Sequence, residues 1–205
     1  MIQNLSSQHV VYFYLVLLSI VFIETGIVIF PFLPGDSLLF FAGSLAALKG
    51  SEVSVWFLII GLSVTAFIAN LLNFEFGKRF GESLPKHPRL SKFIKPQHMV
   101  KAHDFFKKYG SFAIFLGRFI PIIRTIVPFV AGSGRMPYRK FLIHNLLGGI
   151  SWVVLCVSAG YLFGNVSFVK EHFEIIMIVI ILISLLPAAI LWLKSWMKKR
   201  DVKMS

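Results

Sequence analysis

Residues 118–132 read RFIPIIRTIVPFVAG, two arginines and two prolines in a run that is otherwise almost wholly apolar. A soluble core excludes unpaired charge. A plain membrane-spanning helix does not readily take this clustering of proline, which removes a backbone donor, with arginine, whose charge is costly at depth. Broken backbone carrying charge is tolerated at membrane depth only where protein buries it or a wet cavity solvates it. The stretch therefore asks for a membrane protein with an enclosed polar centre.

The rest of the chain supplies the membrane. Its 205 residues are 57% hydrophobic and 15% charged, against roughly a quarter charged in soluble domains. Residues 53–74, 141–169 and 175–193 hold no formal charge, and each reaches the ~18 apolar residues that a spanning helix needs. The chain reads as one all-α polytopic membrane domain, 1–205. The N-terminus lacks a basic n-region and a small-x-small cleavage site, and its apolar run is long, so it reads as retained sequence rather than a signal peptide. The single cysteine, Cys156, lies in an apolar run and reads as core filler.

A net charge of +12 raises nucleic acid as a partner, but its placement answers otherwise. Lys78, Arg79, Lys86, Arg89, Lys92, Lys95, Lys101, Lys107 and Lys108 form one cluster, and Lys194, Lys198, Lys199, Arg200 and Lys203 form another. Both flank apolar segments, where the positive-inside rule makes them cytoplasmic and apposes them to anionic membrane headgroups. The expected partners are those headgroups and no nucleic acid.

A topology follows from these anchors. With the basic tail 194–205 inside, the helix at 175–193 runs inward and the helix at 141–164 outward. The basic segment 78–110 and the cluster Arg135, Arg139 and Lys140 are both inside, so 111–134 enters and leaves on one side, as a re-entrant hairpin. From Gly110 to Pro121 the chain reaches ~16 Å as helix, about half of a ~30 Å hydrocarbon core. Pro121 and Pro128 are expected to break the helix there, with Gly132 in AGSGRMP at the return. One kinked helix crossing the membrane would instead put a basic cluster outside.

A similar pattern lies in 10–48, read as an N-terminal helix and a first re-entrant region shaped by Pro31, Pro34 and Gly35. Phe41-Ala42-Gly43-Ser44 echoes Val130-Ala131-Gly132-Ser133. Glycine- and proline-interrupted apolar segments in two halves point to a transporter's central site. The side of the N-terminus stays open, because residues 10–30 are long enough to cross. Between the halves come a spanning helix at 53–76 and then 78–110, a proline-cut loop ending in an interfacial amphipathic helix. His98 and His103, five apart, do not share a helical face, so neither metal nor cofactor is expected.

The chemistry rests on four charges. Glu24 and Asp36 are two of only nine acidic residues and sit in the first broken region, where ionisable groups mark functional sites by default. The plain alternatives are a helix end for Glu24 and an N-cap for Asp36. Arg118 and Arg124 admit two readings. They form a phosphate cradle, helped by the hydroxyls of Thr125 and Ser37, or they staple the two broken regions together through Glu24 and Asp36. A continuous helix would put them on different faces, so the cradle requires Pro121 to redirect the chain. No Ser/His/Asp or metal constellation is present, so no enzyme is expected. A low-dielectric site disfavours a charged carboxylate while a nearby arginine favours it, and a proton-coupled carrier can exploit that opposition.

These residues carry a family pattern. The stretches ETGIVIFPFLPGDSLL (24–39), FGKRFG (76–81), GRFIPIIRTIVPFVAG (117–132), MPYRKF (136–141) and NLLGGISW (145–152) resemble the DedA family of bacterial inner-membrane proteins, relatives of VTT-domain lipid scramblases. The resemblance implies two opposed re-entrant hairpins, with an essential Glu and Asp at Glu24 and Asp36 and essential arginines at Arg118 and Arg124. It also implies a multi-pass protein of the bacterial cytoplasmic membrane that translocates undecaprenyl phosphate, coupled to protons. Many family members have Gly-Asp and a later Tyr where this chain has Ala69-Asn70 and Phe74. The leading reading is a lipid-phosphate flippase for an anionic lipid or polyprenyl phosphate. A phospholipid scramblase or membrane-homeostasis protein without tight coupling is the runner-up, and a homo-oligomer stays open.

The topology has a direct check. Single cysteines at Lys92, Lys140 and Lys199, in a Cys156→Ala background, should resist a membrane-impermeant thiol reagent in intact cells. Labelling at 140 with 92 protected would replace the re-entrant segment with a spanning helix.

Overall fold

The computed structural model describes residues 2–26, 35–81 and 96–166, with Val169 and Ile175. The expected segments 175–193 and 194–205, most of the basic loop, and Pro31 and Pro34 lie outside the described residues. Among those described, the architecture is all-α. Three helices are long and apolar enough to cross a membrane: α1 (Ile2–Gly26) through its part His9–Gly26, α3 (Val55–Phe80) and α7 (Tyr138–Gly164). Between them come α2 (Gly35–Ala46), α4 (Pro96–Tyr109), a 3-10 turn (Gly110–Phe112), α5 (Ala113–Gly117) and α6 (Pro121–Ser133). At 1.5 Å per residue, α2 and α6 extend only about 18–20 Å, well short of the hydrocarbon thickness.

Local chemistry sets the boundaries. Ser54 caps α3, its hydroxyl accepting from Phe57 N, while Ser54 N donates to the Tyr14 hydroxyl and pins α1 to the start of α3. Lys78 and Arg79 occupy the last turn of α3, where positive charge complements the helix dipole. The chain turns at 118–120 through i→i−3 bonds from Arg118, Phe119 and Ile120 to Phe115, Leu116 and Gly117. Pro121 then opens α6 at its first position, where its missing N–H costs nothing.

Pro128 departs from expectation. α6 runs through it rather than breaking. An interior proline removes one hydrogen bond and crowds one carbonyl, about 3 kcal/mol. Around it Ile126, Val127, Phe129, Val130 and Ala131 are all buried, and burying each large apolar side chain returns about 1.5–3 kcal/mol. Packing wins. The return comes after the helix: Met136 N donates to Ala131 O and Arg135 N to Gly132 O, with Arg135 left-handed at φ 53° and Met136 buried beneath. That is a Schellman ending.

Two glycine seams hold the bundle. A Cβ on Gly43 of α2 would collide with Val157 O of α7, and one on Gly160 of α7 with Phe40 O of α2. Likewise, a Cβ on Gly132 of α6 would collide with Phe74 O of α3, and one on Gly77 of α3 with Phe129 O of α6. Ser44 Oγ donates to Gly160 O at 2.9 Å across the first seam. Gly132 therefore serves close helix approach, not the turn. The echo of FAGS and VAGS in the sequence is a repeated packing device. α4 seats on the α5–α6 unit through buried Ala102 and half-buried Phe105 and Phe106.

Gly132→Ala and Gly160→Ala should each cost about 2 kcal/mol of overpacking, lowering the melting temperature in detergent by roughly 4–8 °C. Gly61→Ala, whose Cβ would only reach Leu18 Cδ2 at 3.5 Å, should be neutral or stabilising. Equal effects at all three positions would remove the seams as the cause.

Candidate functional site

Four elements deliver the four charges to one region. Glu24 stands near the end of α1, Asp36 in the first turn of α2, Arg118 just after α5, and Arg124 in the first turn of α6. Arg124 Nη2 donates to Glu24 Oε1, and Arg124 Nη1 donates to Asp36 Oδ1 at 2.7 Å. One guanidinium thus holds carboxylates from two helices. Glu24 is 1% exposed, whereas the Asp36 side chain is half exposed and forms the open edge of the site.

Trp152 of α7 completes the arrangement. Its Nε1 donates to Asp36 Oδ1 at 2.8 Å, the same oxygen that Arg124 engages. The guanidinium carbons of Arg118 and Arg124 lie 5.1 and 5.6 Å from its ring centroid, within cation–π range. Gly148 and Gly149 lie beside this arrangement. A Cβ on Gly148 would lie 3.2 Å from Phe115 Cα of α5, and one on Gly149 would lie 3.9 Å from Arg118 Nη2. Gly35 makes room, since a Cβ there would fall on the Glu24 carboxylate.

A layer of amides joins α3 to the second half. Asn70 Nδ2 donates to Asn145 Oδ1 at 2.9 Å, Asn145 Nδ2 to Phe67 O at 3.1 Å, and Asn73 Nδ2 to Thr125 O at 2.6 Å. Gly26, two residues past Glu24, faces Ala69 beside this layer.

The structure thus joins Glu24, Asp36 and Arg124 in one network and brings Arg118 to it across Trp152. Ser37 is half-buried beside Asp36, and Thr125 is buried beside Arg124 with its carbonyl taken by Asn73. Pro121 starts the helix that carries Arg124. His103 is exposed, and His144 contacts the Lys140 carbonyl at 2.8 Å. Among the described residues no group of three His, Cys, Asp or Glu side chains is placed to hold a metal. Trp152, Asn70, Asn73 and Asn145 are the residues that reading the sequence missed as site components. Their signal was polar hydrogen-bonding groups inside uncharged spans, with Asn70 and Asn73 on one face of α3.

Comparison with known proteins fits this geometry. The VTT domain model matches residues 33–162, a span that contains Asp36, both arginines and Trp152, with Glu24 just ahead of it. Protein DedA of Escherichia coli K12 is 40% identical over 92% of this chain and 86% of its own length. An uncharacterized membrane protein of Mycobacterium tuberculosis H37Rv is 39% identical over 92% and 82%. Inner membrane protein YghB of Salmonella typhimurium is 33% identical over 91% and 85%. No solved structure matches the chain.

Arg124→Ala strands Glu24 as a buried unpaired charge, which costs about 3–5 kcal/mol. Detergent melting should show that loss, and Glu24→Ala in the same chain should recover more than half of it. Additive losses in the double variant would show that the two side chains are not energetically coupled.

Proposed function

The chain belongs to the DedA family of VTT-domain membrane proteins, and from that premise we propose that it carries a lipid phosphate across a bacterial inner membrane. Its role is membrane transport of the DedA type, not catalysis. The proposed cargo is undecaprenyl phosphate returning to the cytoplasmic leaflet, driven by protons. The two proline-broken regions, the end of α1 with α2 and α5 with α6, act as opposed re-entrant hairpins. The basic loop and tail face the cytoplasm and its anionic lipids.

One observation supports this reading: a single half-buried guanidinium shared by two carboxylates from separate helices. Arg118 and Arg124 together bring two positive charges, and Glu24 and Asp36 two negative ones. The enclosed centre is therefore neutral as it stands. Adding a phosphate monoester, with one to two negative charges, to a site of low dielectric is costly unless negative charge leaves. Protonating Glu24 or Asp36 removes it, and a neutral carboxyl holds the arginine far more weakly. The freed Nη donors then suit phosphate oxygens, which accept the same fork geometry as a carboxylate. Phosphate and proton enter together, and both leave together on the other side. Ser37 and Thr125 supply hydroxyls beside this exchange.

The test is transport in proteoliposomes. Labelled undecaprenyl phosphate should move with an imposed pH gradient, toward the alkaline side. Glu24→Gln keeps the side chain's size but removes its titration, and should abolish the gradient dependence without loss of folded protein. Asp36→Asn should reduce it as well. Equal flux in both directions, with no effect of the gradient or of Glu24→Gln, would make the protein a scramblase.

A further inference from the structure

The two arginines are not equivalent. Arg124 spends one Nη on each carboxylate. Arg118 is 4% exposed, and its Nη1 and Nη2 have no hydrogen-bond partner among the described residues. A buried cation without hydrogen bonds is costly, and such a group in a folded protein calls for an explanation. Trp152 does not supply it. A cation–π contact engages the face of the guanidinium and leaves the in-plane N–H groups of its edge unspent. The α7 backbone at Gly149 runs beside that edge, its Cβ position 3.9 Å from Nη2, an ordinary van der Waals distance. Neither carboxylate serves it either, as the hydrogen-bonded oxygens of both face Arg124.

We infer that Arg118 is the first receiver of the ligand's anionic oxygens, through both Nη donors, and that Arg124 is withheld from the ligand by Glu24 and Asp36. This rests on the anion-transport reading and assigns an order within it. The ligand chemistry is a phosphate group, the fork's natural bidentate partner. Trp152 presents both guanidiniums to one locus, so a phosphate seated on Arg118 stands next to Arg124. Arg124 joins only once a carboxylate lets go. The staple and the cradle are both present, one for each arginine.

The order predicts an asymmetric mutant pattern, read as equilibrium binding to the purified full chain at one fixed pH. The probes are a short-chain polyprenyl phosphate, phosphatidic acid and inorganic phosphate. Arg118→Gln should weaken binding by about 30-fold, the scale of a lost charged hydrogen-bond pair. Its melting temperature should change little or rise, because no partner is stranded. Glu24→Gln should tighten binding by roughly 10-fold through the released Arg124. In the Arg118→Gln background, Glu24→Gln should restore about that factor, and adding Arg124→Gln should remove the restoration. Should Arg118→Gln fail to fold, Arg118→Lys, which keeps the charge but not the fork, should still weaken binding.

Unchanged binding in Arg118→Gln, or weaker binding in Glu24→Gln, would overturn the assignment. So would a wild-type chain that binds none of the three probes. If phosphatidic acid or inorganic phosphate binds with the predicted Arg118 dependence while polyprenyl phosphate does not bind, the assignment of Arg118 holds and the polyprenyl substrate falls.

Discussion

The structure turns on one guanidinium. Arg124 reaches across from α6 to carboxylates on α1 and α2, and Trp152 of α7 donates to the same Asp36 oxygen. Four helices thus meet at a few polar atoms inside an apolar bundle. Glu24 is almost wholly buried, so its charge is tolerable only because Arg124 is there. An apolar cluster in its place would hold the helices as well or better. The cost of keeping charge at this depth argues for use rather than support.

That centre needs helices packed closely enough to exclude competing solvent, and glycine provides the closeness. Both seams share one register: each glycine lies over the carbonyl three residues before its partner glycine. Gly43 and Gly160 join α2 to α7, while Gly132 and Gly77 join α6 to α3. The short helix of each half thus packs on a long helix of the other half. Such an exchange ties the broken elements together even though neither is long enough to span alone. It also leaves the N-terminal turns of α2 and α6, which carry Asp36 and Arg124, facing one another.

Much of this was legible in the sequence. The uncharged runs 53–74 and 141–169 fall on α3 and α7, both long and apolar enough to cross a membrane. Proline beside charge marked Glu24, Asp36, Arg118 and Arg124, because each is costly at depth and they cluster. Pro128 misled, since burial along α6 outweighs one missing hydrogen bond, and helix propensity does not see tertiary packing. Trp152 was hidden because an indole in an apolar helix looks like core until its N–H is found on a carboxylate. Asn73 and Asn145 gave only a weak signal, polar amides inside uncharged spans with no charge to mark them. The split between the two arginines was beyond the sequence altogether. It depends on which side chains the turn at 118–120 brings within reach, and six residues of spacing cannot say.

Asn70 shows how the site limits its own chemistry. Its amide donates to Asn145, whose amide donates onward to the Phe67 carbonyl. A carboxylate at position 70 has no hydrogen to donate, and the bond to Asn145 would require that amide to turn over and abandon Phe67. At position 70 this chain places a neutral crosslink between α3 and α7. Among the described residues, the acidic groups at the centre are then Glu24 and Asp36. Glu24 is enclosed while Asp36 lies at the open edge, already sharing its Oδ1 between Arg124 and Trp152. Neutralising Glu24 leaves Arg124 tethered to Asp36 alone, a single bond at the open edge of the site. In the proposed exchange, the enclosed carboxylate is therefore the one whose protonation releases Arg124.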